Sequence, residues 1–144
     1  MNKCKSVILT ILFALAVRGS VVQTFVIPSE SMRPTLEVGD RIIVNRLSYG
    51  FRPPYLPQMF SWSEPQVGDV IVFTRPGDSR YLVKRVAEVL STGVFVLGDN
   101  HTNSFDSRFW PDPIVPFDNV EGEVIARFWP LERASLTKHW EQKL

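Results

Sequence analysis

A chain of 144 residues can bury one sizeable core and leaves no room for two. Three of its 16 basic residues (Lys3, Lys5 and Arg18) precede residue 25 and none of its 15 acids does, so a net charge of +1 hides a mildly acidic body with no basic footprint for nucleic acid. A single cysteine, Cys4, excludes an intramolecular disulfide, and the two histidines, His101 and His139, lack a ligand at metal spacing, so neither a metal site nor a cofactor is expected.

The chain opens on VILTILFALAV, residues 7–17, an apolar run broken only by Thr10. Read as one helix, residues 6–27 extend roughly 33 Å, enough to cross a bilayer. Residues 1–24 are therefore expected to be a membrane anchor. Lys3 and Lys5 put its N-terminus in the cytoplasm, and residues 25–144 form the body on the outer side of the cell membrane. A basic start, an eleven-residue apolar core and Ala14-Leu15-Ala16 also describe a cleavable leader, and Arg18 within a span costs about 2.5–3.5 kcal/mol at its centre. Both readings export the body.

Next comes Ile27-Pro28-Ser29-Glu30-Ser31-Met32-Arg33-Pro34-Thr35-Leu36, with two serines held between prolines. A serine in an irregular, braced turn has its hydroxyl presented at a fixed angle, which suits a nucleophile, but it needs a base beside it. From residue 37 onward short apolar runs alternate with turn signals, predicting antiparallel β-structure. Val38-Gly39-Asp40 and Val67-Gly68-Asp69 echo each other, and each leads into a strand, over residues 41–46 and 70–74. Between them, residues 51–65 hold four prolines, which argue against regular structure, yet carry Phe51, Tyr55, Leu56, Met59, Phe60 and Trp62. Such a loop either rests on the outer leaflet or folds back over the core. Residues 81–90 and 94–97 predict a hairpin turning at Ser91-Thr92-Gly93, and residues 120–129 a last strand with Val120, Gly122, Val124, Ala126 and Phe128 on one face. The polar tail, 132–144, reads as a short surface helix.

Lys84 is the candidate base: apolar neighbours in Tyr81-Leu82-Val83-Lys84-Arg85-Val86 would lower its pKa, while Arg85 is expected on the opposite face, in water. An exposed strand lysine covering apolar surface is the plain alternative. The polar loop Gly98-Asp99-Asn100-His101-Thr102-Asn103-Ser104-Phe105-Asp106-Ser107-Arg108 then offers Asp99, Asp106 and Arg108 for a buried ion pair, and Ser104 and Ser107 to orient a lysine.

Ser-x-Ser-Met-x-Pro-Thr-Leu, a strand lysine, and Gly-Asp-Asn-x-x-Asn-Ser-x-Asp-Ser-Arg, in this order after an apolar segment, resemble the type I signal peptidases, a family of membrane-bound serine proteases. The likeness covers residues 25–40, 67–86, 97–108 and, loosely, 120–128. It implies a mainly β fold, a partly open antiparallel barrel behind one transmembrane helix, acting on preproteins that bear signal peptides. It makes Ser31 the nucleophile and Lys84 the general base, with Ser29 and the Ser31 N–H as oxyanion hole. Ser104 would orient the lysine, Asp99, Asp106 and Arg108 would brace the loop, and Ile27, Pro28, Met32, Leu36, Leu82 and Val83 would line pockets for small residues. Glu30 stands where the common bacterial form has glycine, and His101-Thr102 replace an Arg-Asp pair, a change expected to loosen that loop. The likeness is to a short form, expected to do without the large inserted domain of longer members and to carry one anchor instead of two. Alternatives are a processing peptidase dedicated to one exported pilin or conjugation substrate, a self-cleaving repressor of the LexA type, and a non-catalytic tethered binding module.

Overall fold

The computed structural model describes residues 2–51 and 60–140. An α-helix, α1 (Asn2–Val21), precedes ten strands: β1 (Val22–Val26), β2 (Arg41–Asn45), β3 (Gly50–Phe51), β4 (Phe60–Ser61), β5 (Val70–Thr74), β6 (Tyr81–Leu90), β7 (Gly93–Leu97), β8 (Ile114–Pro116), β9 (Val120–Trp129) and β10 (Ser135–Leu136). Seven pair in the order β1-β2-β9-β5-β6-β7-β8, every neighbour antiparallel, with β10 added along β9; β3 and β4 form a separate ladder. The protein is mainly β, as the alternation predicts.

The unbroken apolar run of β5 explains how the sheet curls around two cores. Val70 and Val72 join a cluster with Ile27, Met32, Leu36, Ile42, Val44 and Val124, while Ile71 and Phe73 point the other way into Val86, Val94, Val96, Trp110 and Val115. A strand covered on both faces has no solvated side on which to place polar residues. β9 keeps its alternation, with Val120, Gly122 and Val124 buried. Gly122 is required by close approach, because a Cβ there would lie 2.4 Å from the Asn45 carbonyl oxygen.

The two Val-Gly-Asp phrases build the same corner twice. Gly39 and Gly68 both take positive φ, 90° and 100°, which glycine adopts without strain. In each corner the Asp carboxylate accepts the N–H three residues earlier: Glu37 to Asp40 Oδ2 and Gln66 to Asp69 Oδ2, both at 2.9 Å. Each turn then delivers the chain into a strand.

Several expectations are corrected. The helix predicted over residues 6–27 ends at Val21; Val22 to Val26 form a strand, with Val22 facing Asn45 and Val26 facing Arg41. β-Branched Val22, Thr24 and Val26 suit that ladder, and its cross-strand hydrogen bonds outweigh continuation of the helix. Among the described residues no helix is long and apolar enough to cross a membrane. The proline-rich loop is partly regular, since Phe51 pairs with Phe60; its centre, residues 52–59, lies outside the described residues. β8 was not predicted. The tail up to residue 140 forms two 3-10 turns and β10 in place of a surface helix.

Candidate active site

The serine turn is held by apolar plugs. Ile27, Met32 and Leu36 are buried in the core, while the 3-10 turn Glu30–Met32 lifts Ser31 toward β6. Ile27 donates its N–H to Asp40 O and accepts from the Gly39 N–H, both at 2.9 Å, so the corner at Gly39-Asp40 clamps the start of the turn. On the far side Asn100 donates its backbone N–H to Ser31 O at 3.0 Å and its side-chain amide to Glu30 O at 3.1 Å.

Lys84, in the middle of β6 and only 4% exposed, donates from Nζ to Ser31 Oγ at 2.5 Å. Burial lowers its pKa from 10.5 to about 8, against the charges of Asp106 and Asp99, which favour the ammonium. The lowered pKa brings the neutral amine, which can accept a proton, within reach of neutral pH. Ser29 Oγ lies 3.3 Å from Ser31 Oγ.

The loop after β7 braces these groups. Asp106 is fully buried; desolvation would raise its pKa, but hydrogen bonds from Arg108 and the Gly98 N–H prevail and hold it at about 2. Arg108 Nε reaches Asp106 Oδ1 at 2.8 Å, and its Nη2 also donates to His101 O at 3.1 Å. Thr102 donates to Asn100 Oδ1 at 3.2 Å, so the exchanged His101-Thr102 pair still braces the loop. Ser104 Oγ is buried and meets no partner at hydrogen-bond geometry among the described residues, although it stands close enough to Asp106 to help lower its pKa. Gly98 lies against both serines: a Cβ there would sit 2.2 Å from Ser104 Oγ and 2.5 Å from Ser31 O.

Asp99 does not join the Asp106–Arg108 pair. Its partner is Arg85, expected in water but buried, because β6 is covered on both faces. Thr35 adds a 2.5 Å hydrogen bond to Asp99. Arg85 was expected in water, and its pairing with Asp99 and the part of Thr35 in it went unread in the sequence; an arginine inside an apolar strand, with an acid just beyond the next strand, is the signal that could have found the pair. Glu30 is half exposed and turned away from the dyad, bonded to Arg33 at 3.2 Å and to the Asn103 amide at 3.4 Å.

Beside the dyad is a slot of about 30 Å³, walled by Ile27, Pro28, Met32, Tyr81, Leu82 and Val83. Tyr81 was not anticipated, and Leu36 lies beneath in the core, outside the wall. Among the described residues no cluster of three His, Cys, Asp or Glu side chains could hold a metal ion.

An amine poised on a serine hydroxyl beside a slot for one small side chain is the equipment of a serine protease, a hydrolase that works by acyl transfer. Comparison with known proteins narrows the class. The family model described as "Signal peptidase, peptidase S26" matches residues 1–90 and 87–129. "Signal peptidase I" of Leptolyngbya laminosa is 33% identical over an alignment spanning 92% of this chain and 81% of that protein. "Signal peptidase I" of Pseudomonas fluorescens is 29% identical over 91% and 74%, and "Probable thylakoidal processing peptidase 2, chloroplastic" of Arabidopsis thaliana 29% over 96% and 46%. The chain belongs to the peptidase S26 signal peptidase family.

Proposed function

We propose that the chain is a membrane-attached serine endopeptidase that removes signal peptides from exported preproteins. The observation that carries this reading is the contact between the buried Lys84 amine and Ser31 Oγ at 2.5 Å. The neutral amine takes the hydroxyl proton as Oγ bonds to the carbonyl carbon of the scissile peptide. The Ser29 hydroxyl and the Ser31 N–H hold the resulting oxyanion. The C–N bond breaks as the ammonium returns its proton to the leaving amine. Water then gives a proton to the same amine as its oxygen attacks the ester. The ammonium returns that proton to Ser31 Oγ as the ester C–O bond breaks, and the released acid ionises to the new carboxylate.

Ser104 has a supporting role in this reading. Its buried hydroxyl, beside Asp106, would accept a hydrogen bond from the Lys84 ammonium formed during attack and so orient the amine. Asp99, Asp106 and Arg108 hold the loop that carries it. The slot is small and walled by apolar side chains, which favours alanine before the cut.

Attachment to the bilayer is assigned to the N-terminal segment. Val7, Ile8, Leu9, Ile11 and Leu12 of α1 are more than half exposed, an apolar surface that lipid would cover. Lys3 and Lys5 place its start on the cytoplasmic side. Phe60 and Trp62, at 62% and 58% exposure, favour the leaflet for the proline-rich loop.

Incubation with a preprotein bearing Ala-x-Ala, followed by N-terminal sequencing of the product, tests the reading. Cleavage after the second alanine is expected, with loss of turnover in Ser31→Ala and Lys84→Ala. Leucine at that position should lower kcat/KM on the order of 10–100-fold, by overpacking. A Lys84→Ala protein that cleaves at the wild-type rate overturns the mechanism.

A further inference from the structure

The dyad opens in two directions. One is the slot; the other is a cleft of about 370 Å³ that shares Ser29, Ser31, Leu82 and Lys84 with it and continues past Glu30, Arg75, Asp78, Arg80, Asn103 and Phe105. A slot of about 30 Å³ takes one side chain and no more chain. The leaving amine must collect its proton from Lys84, which lines both spaces, so the chain beyond the cut has the cleft as its exit.

The charges of the cleft are unequally occupied. Arg80 and Asp78 satisfy each other, with Nη2 to Oδ2 at 2.7 Å and Nε to Oδ1 at 3.0 Å. Glu30 is shared between Arg33 and Asn103. Arg75 contributes its charge to Asp78 at longer range but makes no ion pair at contact distance among the described residues; its guanidinium lies over the Trp110 ring, 4.6 Å from the centroid. Stacking fixes the plane of a guanidinium and leaves its N–H edge available for the two oxygens of a carboxylate.

We propose that this cleft receives the residues following the cleaved bond and that Arg75 selects an acidic side chain among them. The inference rests on the endopeptidase reading. It identifies preferred substrates as preproteins whose mature N-terminus carries aspartate or glutamate within its first few residues, a preference additional to the small residue before the cut.

The test uses the full chain in detergent and peptides with Ala-x-Ala before the cut. Glutamate, glutamine or lysine is placed at each of the first four positions after it. At one or more positions kcat/KM should favour glutamate over lysine by about threefold to tenfold, the ratio set by an ion pair between partly exposed charges. The ratio should shrink at higher salt, invert in Arg75→Glu and approach one in Arg75→Gln. Equal rates at every position, a preference for lysine as Glu30 would impose, or a ratio unmoved by both Arg75 variants overturns the inference while leaving the endopeptidase reading intact. Failure of the wild-type protein to cleave any of the peptides overturns both.

Discussion

Arg85 grips both carboxylate oxygens of Asp99, Nε to Oδ1 at 2.8 Å and Nη2 to Oδ2 at 2.6 Å, one residue beyond Lys84 on the same strand. Asp99 also accepts from Thr35, and the next residue, Asn100, holds the Ser31 carbonyl. One ion pair thus joins the strand of the amine, the turn of the hydroxyl and the loop that braces both.

Removing half of this pair leaves a poorly solvated charge without its counterpart. Asp99→Ala is expected to destabilise the fold by about 2–4 kcal/mol, and Arg85→Leu by a similar amount. The double variant should lose less than the sum of the two, since no orphaned charge remains. Denaturant unfolding of all four proteins measures the coupling; simple additivity would refute the link.

Lys84 ties both activity and stability to pH, and in the same direction. With its folded pKa lowered by burial to about 8, the rate should rise with pH and level off above that value. The unfolded lysine titrates near 10.5, so between about 8 and 10.5 the unfolded state binds more protons and stability rises with pH. The cost of burying the charge is complete below 8 and gone above 10.5. Lys84→Met should therefore abolish turnover yet stabilise the fold at pH 7 by about 1–3 kcal/mol, a gain that fades by pH 10. Unfolding curves at both pH values check this, and no gain at pH 7 would count against a buried, charge-averse amine.

Gly98 is the residue whose lack of a side chain lets loop and serine turn meet. A Cβ at 2.5 Å from Ser31 O and 2.2 Å from Ser104 Oγ must displace one of them. Gly98→Ala is expected to cost about 1–3 kcal/mol in stability. Misplacing Ser31 relative to Lys84 should lower kcat by up to about 100-fold, measured where the variant remains folded. A wild-type kcat would show that the turn yields without moving the hydroxyl.

Much of the site was legible along the chain because it is built from short, local phrases. The serine turn is written in prolines and flanking apolar plugs, and the Val-Gly-Asp corners in a glycine that needs positive φ and an aspartate that caps its own turn. The strand of Lys84 is written in alternation, and the likeness to signal peptidases paired it with Ser31. Those features depend on neighbours within a few residues, so local propensity and pattern reach them.

What only the tertiary structure decided are the relationships that cross the sheet. Alternation predicted Arg85 in water, but β6 lies between two neighbouring strands with both faces covered, so its charge had to find Asp99. Val22 to Val26 looked like the end of an apolar helix until β2 offered a ladder. Glu30, beside its neighbour Arg33, also meets the Asn103 amide 73 residues away, a contact no local pattern indicates. Residue type and spacing determine which chemistry is available; which charge meets which is set by strand order, because a buried ion can persist only where the fold brings its counterpart.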